Sequence, residues 1–263
     1  MPTPIEILLD PISLGVLALY AGCMLWEALA PGRKLPRVRG WALRGLGSFA
    51  VYFYLSSYLP LIWDGYFARY QLLDFSGLGA IPGAIVGLLV YNAVLYAWHR
   101  AMHHSDWLWR GFHQMHHSAE RLDSYGAFYF SPLDVAGLTL VGSLSLSLIV
   151  GLSAQAVTLF LFAAMFMGIF QHTNVRTPRW LGYIIQRPES HTIHHGRGLH
   201  RYNYADLPLF DILFGTFRNP RDYEMETGFY DGASARIGDM LTFKDVSSPE
   251  SPRDDEVTIN KAA

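Results

Sequence analysis

The chain alternates long apolar runs with short basic or aromatic connections. The first run covers residues 12–30. At a helical rise of about 1.5 Å per residue it can cross a hydrocarbon layer of ~30 Å. A basic loop follows, with Arg33, Lys34, Arg37, Arg39 and Arg44. The second run, residues 46–63, is aromatic-rich and uncharged. Residues 64–78 then bring Asp64, Arg69 and Asp74 together with Tyr66, Phe67, Tyr70 and Phe75, a mixture suited to a membrane interface. The third run, residues 80–98, ends directly on His99. Between Asp134 and Arg176 there is no Asp, Glu, Lys or Arg. That stretch divides into residues 135–150 and 154–170, hinged at Gly151-Leu152-Ser153. Each half is slightly short for a full crossing. A hairpin that dips in and returns is the expected form, with local accommodation of the mismatch. These patterns predict an all-α, integral-membrane helical bundle with about four to five membrane helices.

Lys and Arg placement orients the bundle. With the 33–44 loop in the cytosol and each run crossing, the N-terminus and residues 64–78 lie outside. Residues 99–134 and everything after His172 lie inside. Of the 20 Lys and Arg residues, Arg69 alone then falls outside. A multi-pass protein of a bacterial cytoplasmic membrane or the endoplasmic reticulum is expected, its active site facing the cytosol. No Lys or Arg precedes Arg33, so the basic start of a secretory signal is not expected. Residues 1–244 read as a single domain, in which 98–217 hold the chemistry. Residues 245–263 are polar and proline-punctuated, and read as a disordered tail.

Composition supports a lipid solvent. Hydrophobic residues make up 51% of the chain and charged ones 16%, against about 25% charged in soluble domains. The net charge of −2 gives no reason to expect nucleic acid. The single cysteine, Cys23, excludes an intramolecular disulfide and any C-x-x-C motif, and reads as a small buried hydrophobe. Histidine is the anomaly. All 11 histidines lie between His99 and His200.

Three clusters stand out: His99-Arg-Ala-Met-His103-His104, His113-Gln-Met-His116-His117 and His191-Thr-Ile-His194-His195. Helical residues at i and i+4 face the same way, so His99 and His103 can share one ion. In each H-x-x-H-H group, all three histidines are expected on one helical stripe. Pro188 suits the start of the last helix and Gly196 its stop. His172 closes the final apolar run. That yields nine candidate ligands: His99, His103, His113, His116, His117, His172, His191, His194 and His195. They exceed the four of a tetrahedral zinc site, whereas two ions with four or five ligands each would use them all. Imidazole suits Fe, Zn, Cu and Ni, and ligand type does not choose among them. Zinc would make a Lewis-acid lipid hydrolase, iron an oxygen-activating site. Asp106 is the only carboxylate from His99 to His117, a poor match to a carboxylate-bridged di-iron bundle. His104 and His200 are expected behind the ligands or as substitutes for them. A zinc hydrolase would lack H-E-x-x-H and would need Glu120 or Glu189 as its base. A haem electron carrier needs only paired histidines and leaves the repeated H-x-x-H-H unexplained.

From about residue 98 to 217 the chain resembles the fatty acid hydroxylase / sterol desaturase superfamily of membrane di-iron oxygenases. The resemblance rests on Trp98-His99-Arg100, Leu108-Trp109, His113-Gln114-Met115-His116-His117-Ser118 and Pro132-Leu133-Asp134. It continues through Gln171-His172-Thr173-Asn174, His191-Thr192-Ile193-His194-His195-Gly196, Asn203-Tyr204-Ala205 and Asp211-Ile212-Leu213-Phe214-Gly215-Thr216. The resemblance implies a membrane bundle under a cytosolic histidine-rich helical cap. It implies two Fe ions, with Zn as a substitute, and hydroxylation or desaturation of a lipid C–H bond by O₂. It also implies two electrons from a cytochrome b5-, ferredoxin- or rubredoxin-like partner with its reductase, since no cytochrome b5 domain accompanies the boxes. Asn203 and Asp211 are expected beside the ligands, in the same outer role as His104 and His200. Tyr91, Tyr96, Phe128, Tyr129 and Phe130 are expected along the path of the lipid. Two positions depart from the family: Asn92 stands where an acidic residue is common, and Arg176 where some members carry a further histidine.

Overall fold

The structure, a computed structural model, describes residues 1–224 and 226–249. Five helices form the bundle: α1 (Pro11–Leu29), α2 (Trp41–Phe67), α3 (Ala80–His104), α4 (Pro132–Ser143) and α5 (Ala154–Phe170). Local chemistry sets their starts. Pro11 and Pro132 occupy first-turn positions where a missing N–H costs nothing, and the side chains of Asp10, Ser131 and Ser153 accept the free N–H groups of Ile12, Asp134 and Ala156. Helix α4 runs on through a π-helical stretch, Leu144–Ile149. Four helices are long and apolar enough to cross a membrane: α1, α2 with its extension to Tyr70, α3, and α4 with its π stretch; α5 is shorter.

The outer faces of these helices are apolar. Leu25 and Leu29 on α1, Leu61 and Ile62 on α2, and Ile81 and Ile85 on α3 are exposed. Such a continuous apolar surface is stable against lipid rather than water. Hydroxyls within the spans turn back onto their own helices: Ser57 donates to the Phe53 carbonyl, Thr139 to Val135 and Ser145 to Val141, each at 2.7 Å. No polar group on these side chains then needs solvent.

All five helices bring one end to the histidines. The end of α1 is tied by Glu27, which accepts from Ser124 N and Asn174 N. The start of α2 is tied by Trp41, whose indole donates to Asp123. His99 and His103 end α3, Asp134 begins α4, and His172 follows α5. At the opposite end, Leu73–Asp74 pairs in parallel with Val150–Gly151, in register Leu73↔Val150 and Asp74↔Gly151. This short pair is the only named sheet among the described residues. It places the turn between α4 and α5 beside the connection between α2 and α3, so the expected hairpin reaches the far end of the bundle.

Two features differ from the sequence reading. Helix α2 begins at Trp41, before the apolar run, because the left-handed Gly40 (φ 70°) turns the chain and the buried indole anchors the first turn. The start of the expected disordered tail is packed. Val246 is fully buried in the cap, its N–H donates to Gln114, and Ser247 accepts from the Trp109 indole. The rest of that tail, from residue 250, lies outside the described residues.

Helices α3 and α5 approach closely where α3 lacks side chains. A Cβ on Gly83 would lie 2.8 Å from the Ala156 Cβ, and one on Gly87 2.9 Å from a Leu152 methyl. Gly83→Val should therefore push the helices apart and cost about 1–3 kcal/mol. A lowered midpoint of thermal unfolding in detergent would show this. Gly22→Ala on α1, where nothing lies within 4 Å, should leave the midpoint unchanged or slightly raised. An unshifted midpoint for Gly83→Val would contradict the close packing.

Candidate metal centre

The nine histidines gather into two groups. His99, His103, His113, His117 and His194 form one, and His116, His172, His191 and His195 the other; within each, one ring nitrogen per residue lies within 4.8 Å of the rest. The groups abut: the His117 and His195 rings stack at 4.2 Å, and those of His191 and His194 at 5.1 Å.

One expectation is corrected. The histidines of an H-x-x-H-H box do not share a stripe. In each box the i and i+4 residues stay together, His113 with His117 and His191 with His195, while the i+3 residue crosses to the other group. At about 100° per residue, neighbours i+3 and i+4 diverge by that angle around the helix. Each box therefore supplies both groups. The second box enters through a π-helical turn, Trp109–His113, before the short helix Gln114–His117. The third lies on α6 (Pro188–His194), which starts at Pro188 and is followed by Gly196 as the sequence suggested.

The outer ring nitrogens are held by acceptors that decide the tautomers. His99 Nδ1 donates to the Tyr204 carbonyl at 2.7 Å, and His113 Nδ1 to Asp134 Oδ2 at 2.9 Å. Both Nε2 atoms are left with lone pairs, yet they lie 2.8 Å apart. Facing lone pairs repel unless a cation lies between them. His172 Nδ1 donates to the Gly168 carbonyl at 2.7 Å, and its Nε2 lies 3.1 Å from His116 Nε2 and 3.0 Å from His191 Nε2. His194 Nδ1 donates to the Tyr202 carbonyl at 2.7 Å, which leaves Nε2 without a hydrogen-bond partner, as are the Nε2 atoms of His103 and His117. Burial pushes the His172 imidazole down to about 4 and holds His113, His116, His117, His191, His194 and His195 well below the ordinary histidine value. Neutral rings with inward lone pairs are what a cation needs. This donor set, and its orphaned nitrogens, fit two imidazole-bound ions.

Buried polar contacts hold the frame. Arg187, 1% exposed, pairs with Glu189 at 3.0 Å and donates to Thr177, Asn219 and Pro220. Glu189 also accepts from the Thr177 N–H and hydroxyl, so both charges are satisfied at the N-terminus of α6. The loop that supplies the Tyr202 and Tyr204 carbonyls is left-handed at His200, Tyr202 and Asn203, with φ of 40°, 69° and 52°. Such a conformation costs about 1–3 kcal/mol per residue and persists only where neighbours enforce it. Asn203 does so by donating to the Ser190 and Arg218 carbonyls and accepting from Arg218 N. Asp211 does so by accepting from Tyr204 N, Ala205 N and the Thr216 hydroxyl.

Of the outer residues expected from the sequence, Asn203 and Asp211 thus support the carbonyls behind His99 and His194. His200 touches the site directly, its Nδ1 lying 3.1 Å from His117 Nδ1. His104 does not reach either group. It is exposed and bonds the Arg100 carbonyl, because one position beyond His103 the helix has turned away. Phe130 lies against His116 at 4.5 Å, and Phe128 and Tyr91 pack inside the bundle on Tyr52 and Phe160. Tyr96 instead stacks on Phe214, and Tyr129 is buried in the cap with its hydroxyl on the Ser234 carbonyl. Asn92 accepts from Leu207 N, and Arg176 is exposed and pairs with Asp222. Asp134 was missed as a site residue. Its signal was present: it is the acid bordering a charge-free apolar stretch, in the first turn of the helix that follows the second box. The Tyr202 and Tyr204 carbonyls carry no side-chain signal.

The family model for fatty acid hydroxylase matches residues 84–216. Ornithine lipid hydroxylase OlsE of Rhizobium tropici is 34% identical over 146 residues, 52% of this chain and 42% of that protein. Sphinganine C4-monooxygenase 1 of Arabidopsis thaliana is 26% identical over 148 residues, 55% of this chain and 57% of that protein. Alkylglycerol monooxygenase of Caenorhabditis elegans is 30% identical over 141 residues, 51% of this chain and 26% of that protein. The chain thus spans about half or less of the length of these relatives. No solved structure matches it. With the family match covering about half of the chain and all nine gathered histidines, the chain belongs to the fatty acid hydroxylase family.

Proposed function

We propose that this protein is a membrane di-iron monooxygenase that hydroxylates a C–H bond of a lipid with O₂, drawing two electrons from a separate redox protein at the cytosolic face. The observation that carries the reading is the pair of buried histidine groups: in one the Nε2 atoms of His103, His117 and His194 lack a hydrogen-bond partner, and in the other the Nε2 atoms of His116 and His191 crowd that of His172 at 3.1 and 3.0 Å. When bound, two irons supply reductive O₂ activation and the oxidising power to break an unactivated C–H bond. The rest is the work of the chain's residues. Tyr204, Tyr202, Gly168 and Asp134 hold the protons on the outer ring nitrogens of His99, His194, His172 and His113. Trp109 covers His103 and His117 at 5.1 Å each and keeps water from that side. Phe130 bounds the other group against the apolar bundle interior. The names of the relatives support lipid hydroxylation, and the basic residues at the histidine end support a cytosolic site.

A zinc hydrolase fits less well. Glu189 is locked to Arg187 and Thr177, and Glu120 accepts from Gly232 N and Ser234 N in the cap. Neither carboxylate faces the histidines as a general base would have to.

Protein purified in detergent after iron-replete growth should carry about two irons per chain by elemental mass spectrometry, as two groups of four or five imidazoles require. His194→Ala and His116→Ala draw one ligand from each group. Both should lose metal and lipid-dependent O₂ consumption while still reaching the membrane, and full activity in either would sink the assignment. Asp134→Asn keeps the shape but weakens the acceptor behind His113. It should lower metal retention by about 10–100-fold on dialysis against a chelator. His104→Ala should match the parent protein; loss of iron there would overturn its placement outside the site.

A further inference from the structure

One buried acid is used by neither histidine group. Asp206 is 6% exposed. Its Oδ1 accepts from the Gln171 amide at 2.8 Å. Its Oδ2 has no hydrogen-bond partner among the described residues and is not fully enclosed. No Lys or Arg pairs with it among the described residues. Tyr52 of α2 and Tyr91 of α3 lie within its electrostatic reach from the bundle interior. Its backbone is fixed on both sides: the Asp206 carbonyl accepts from Gln186 N, and the next N–H, of Leu207, donates to Asn92.

We propose that Asp206 is the polar anchor of the substrate path and binds an ammonium group near one end of the lipid. A lone carboxylate inside a protein costs several kcal/mol unless a cation or several donors meet it. Here one donor is built in and one oxygen is left open. Burial pushes the carboxyl up to about 6, and an ammonium group beside it would favour the ionised form. Position adds a second constraint. Gln171 directly precedes His172, and Asp206 follows Tyr204, whose carbonyl holds His99. The carboxylate therefore lies where the supports of the two histidine groups meet. A lipid held there by its amine presents the carbons next to its polar end to the histidines, not its far methyl. A fatty acid carboxylate would be repelled. The site thus names the substrate class for the monooxygenase reading on which it rests.

Binding tests this apart from turnover. Octadecylamine, octadecanol and octadecanoate, each in the same neutral detergent micelles, would be titrated into the purified protein and into Asp206→Asn. The amine should bind the parent protein at least ~10-fold more tightly than the acid or the alcohol, and the preference should collapse in the variant. Equal binding of the three chains by the parent protein, which needs no variant to fold, would overturn the proposal. So would an amine preference that survives in Asp206→Asn. Iron content measured on the same samples separates the two readings. Iron-free protein that still prefers the amine would defeat the oxygenase assignment and leave the anchor standing.

Discussion

The structure depends on keeping a set of imidazoles neutral, inward-facing and close together without an acid among them. Unprotonated nitrogens brought within 3 Å repel, and burial removes the water that would screen them. The fold meets this from outside. Carbonyls and one carboxylate take the outer ring protons, so each of those rings has a decided tautomer before any ion arrives. Everything around the site serves that arrangement. Five helix ends converge on it, and a cap closed by a buried Arg–Glu pair fixes the helix that carries the third box.

The two H-x-x-H-H boxes weave the centre together. Each gives its i and i+4 residues to one group and its i+3 residue to the other, and the two boxes do this in opposite senses. The second box gives two rings to the group of five and one to the group of four. The third gives one and two. Neither group is a separable module, since helix rotation in either box would disturb both.

Much of this was legible in the chain. The apolar runs marked the helices, and the charge-free hairpin between Asp134 and Arg176 was readable from composition. The i and i+4 pairs of the gathered histidines were recognisable from spacing because such neighbours share a helical face, His116 and His194 from the repeated H-x-x-H-H pattern, and His172 from its place at the end of the last apolar run. Their partition was not, because spacing along one helix says nothing about which neighbouring elements flank it. The carbonyls of Tyr202 and Tyr204 were invisible for a different reason. A backbone acceptor leaves no mark on residue type; the left-handed turns that aim these two are stabilised by Asn203 and Asp211, which the resemblance placed beside the ligands without pointing to the carbonyls they hold. The packed start of the tail was hidden by its polar neighbours: one valine, Val246, is what docks.

The Arg187–Glu189 pair also limits how this chain can change over generations. Each residue is 1% exposed, and each satisfies the other's charge. Removing one partner of such a pair costs about 3–5 kcal/mol, whereas replacing both with well-packed apolar residues can cost nothing. Drift at either position alone passes through a form with a stranded charge beneath the third histidine box. The two positions are therefore bound to vary jointly, and descendants of this sequence should carry both or neither.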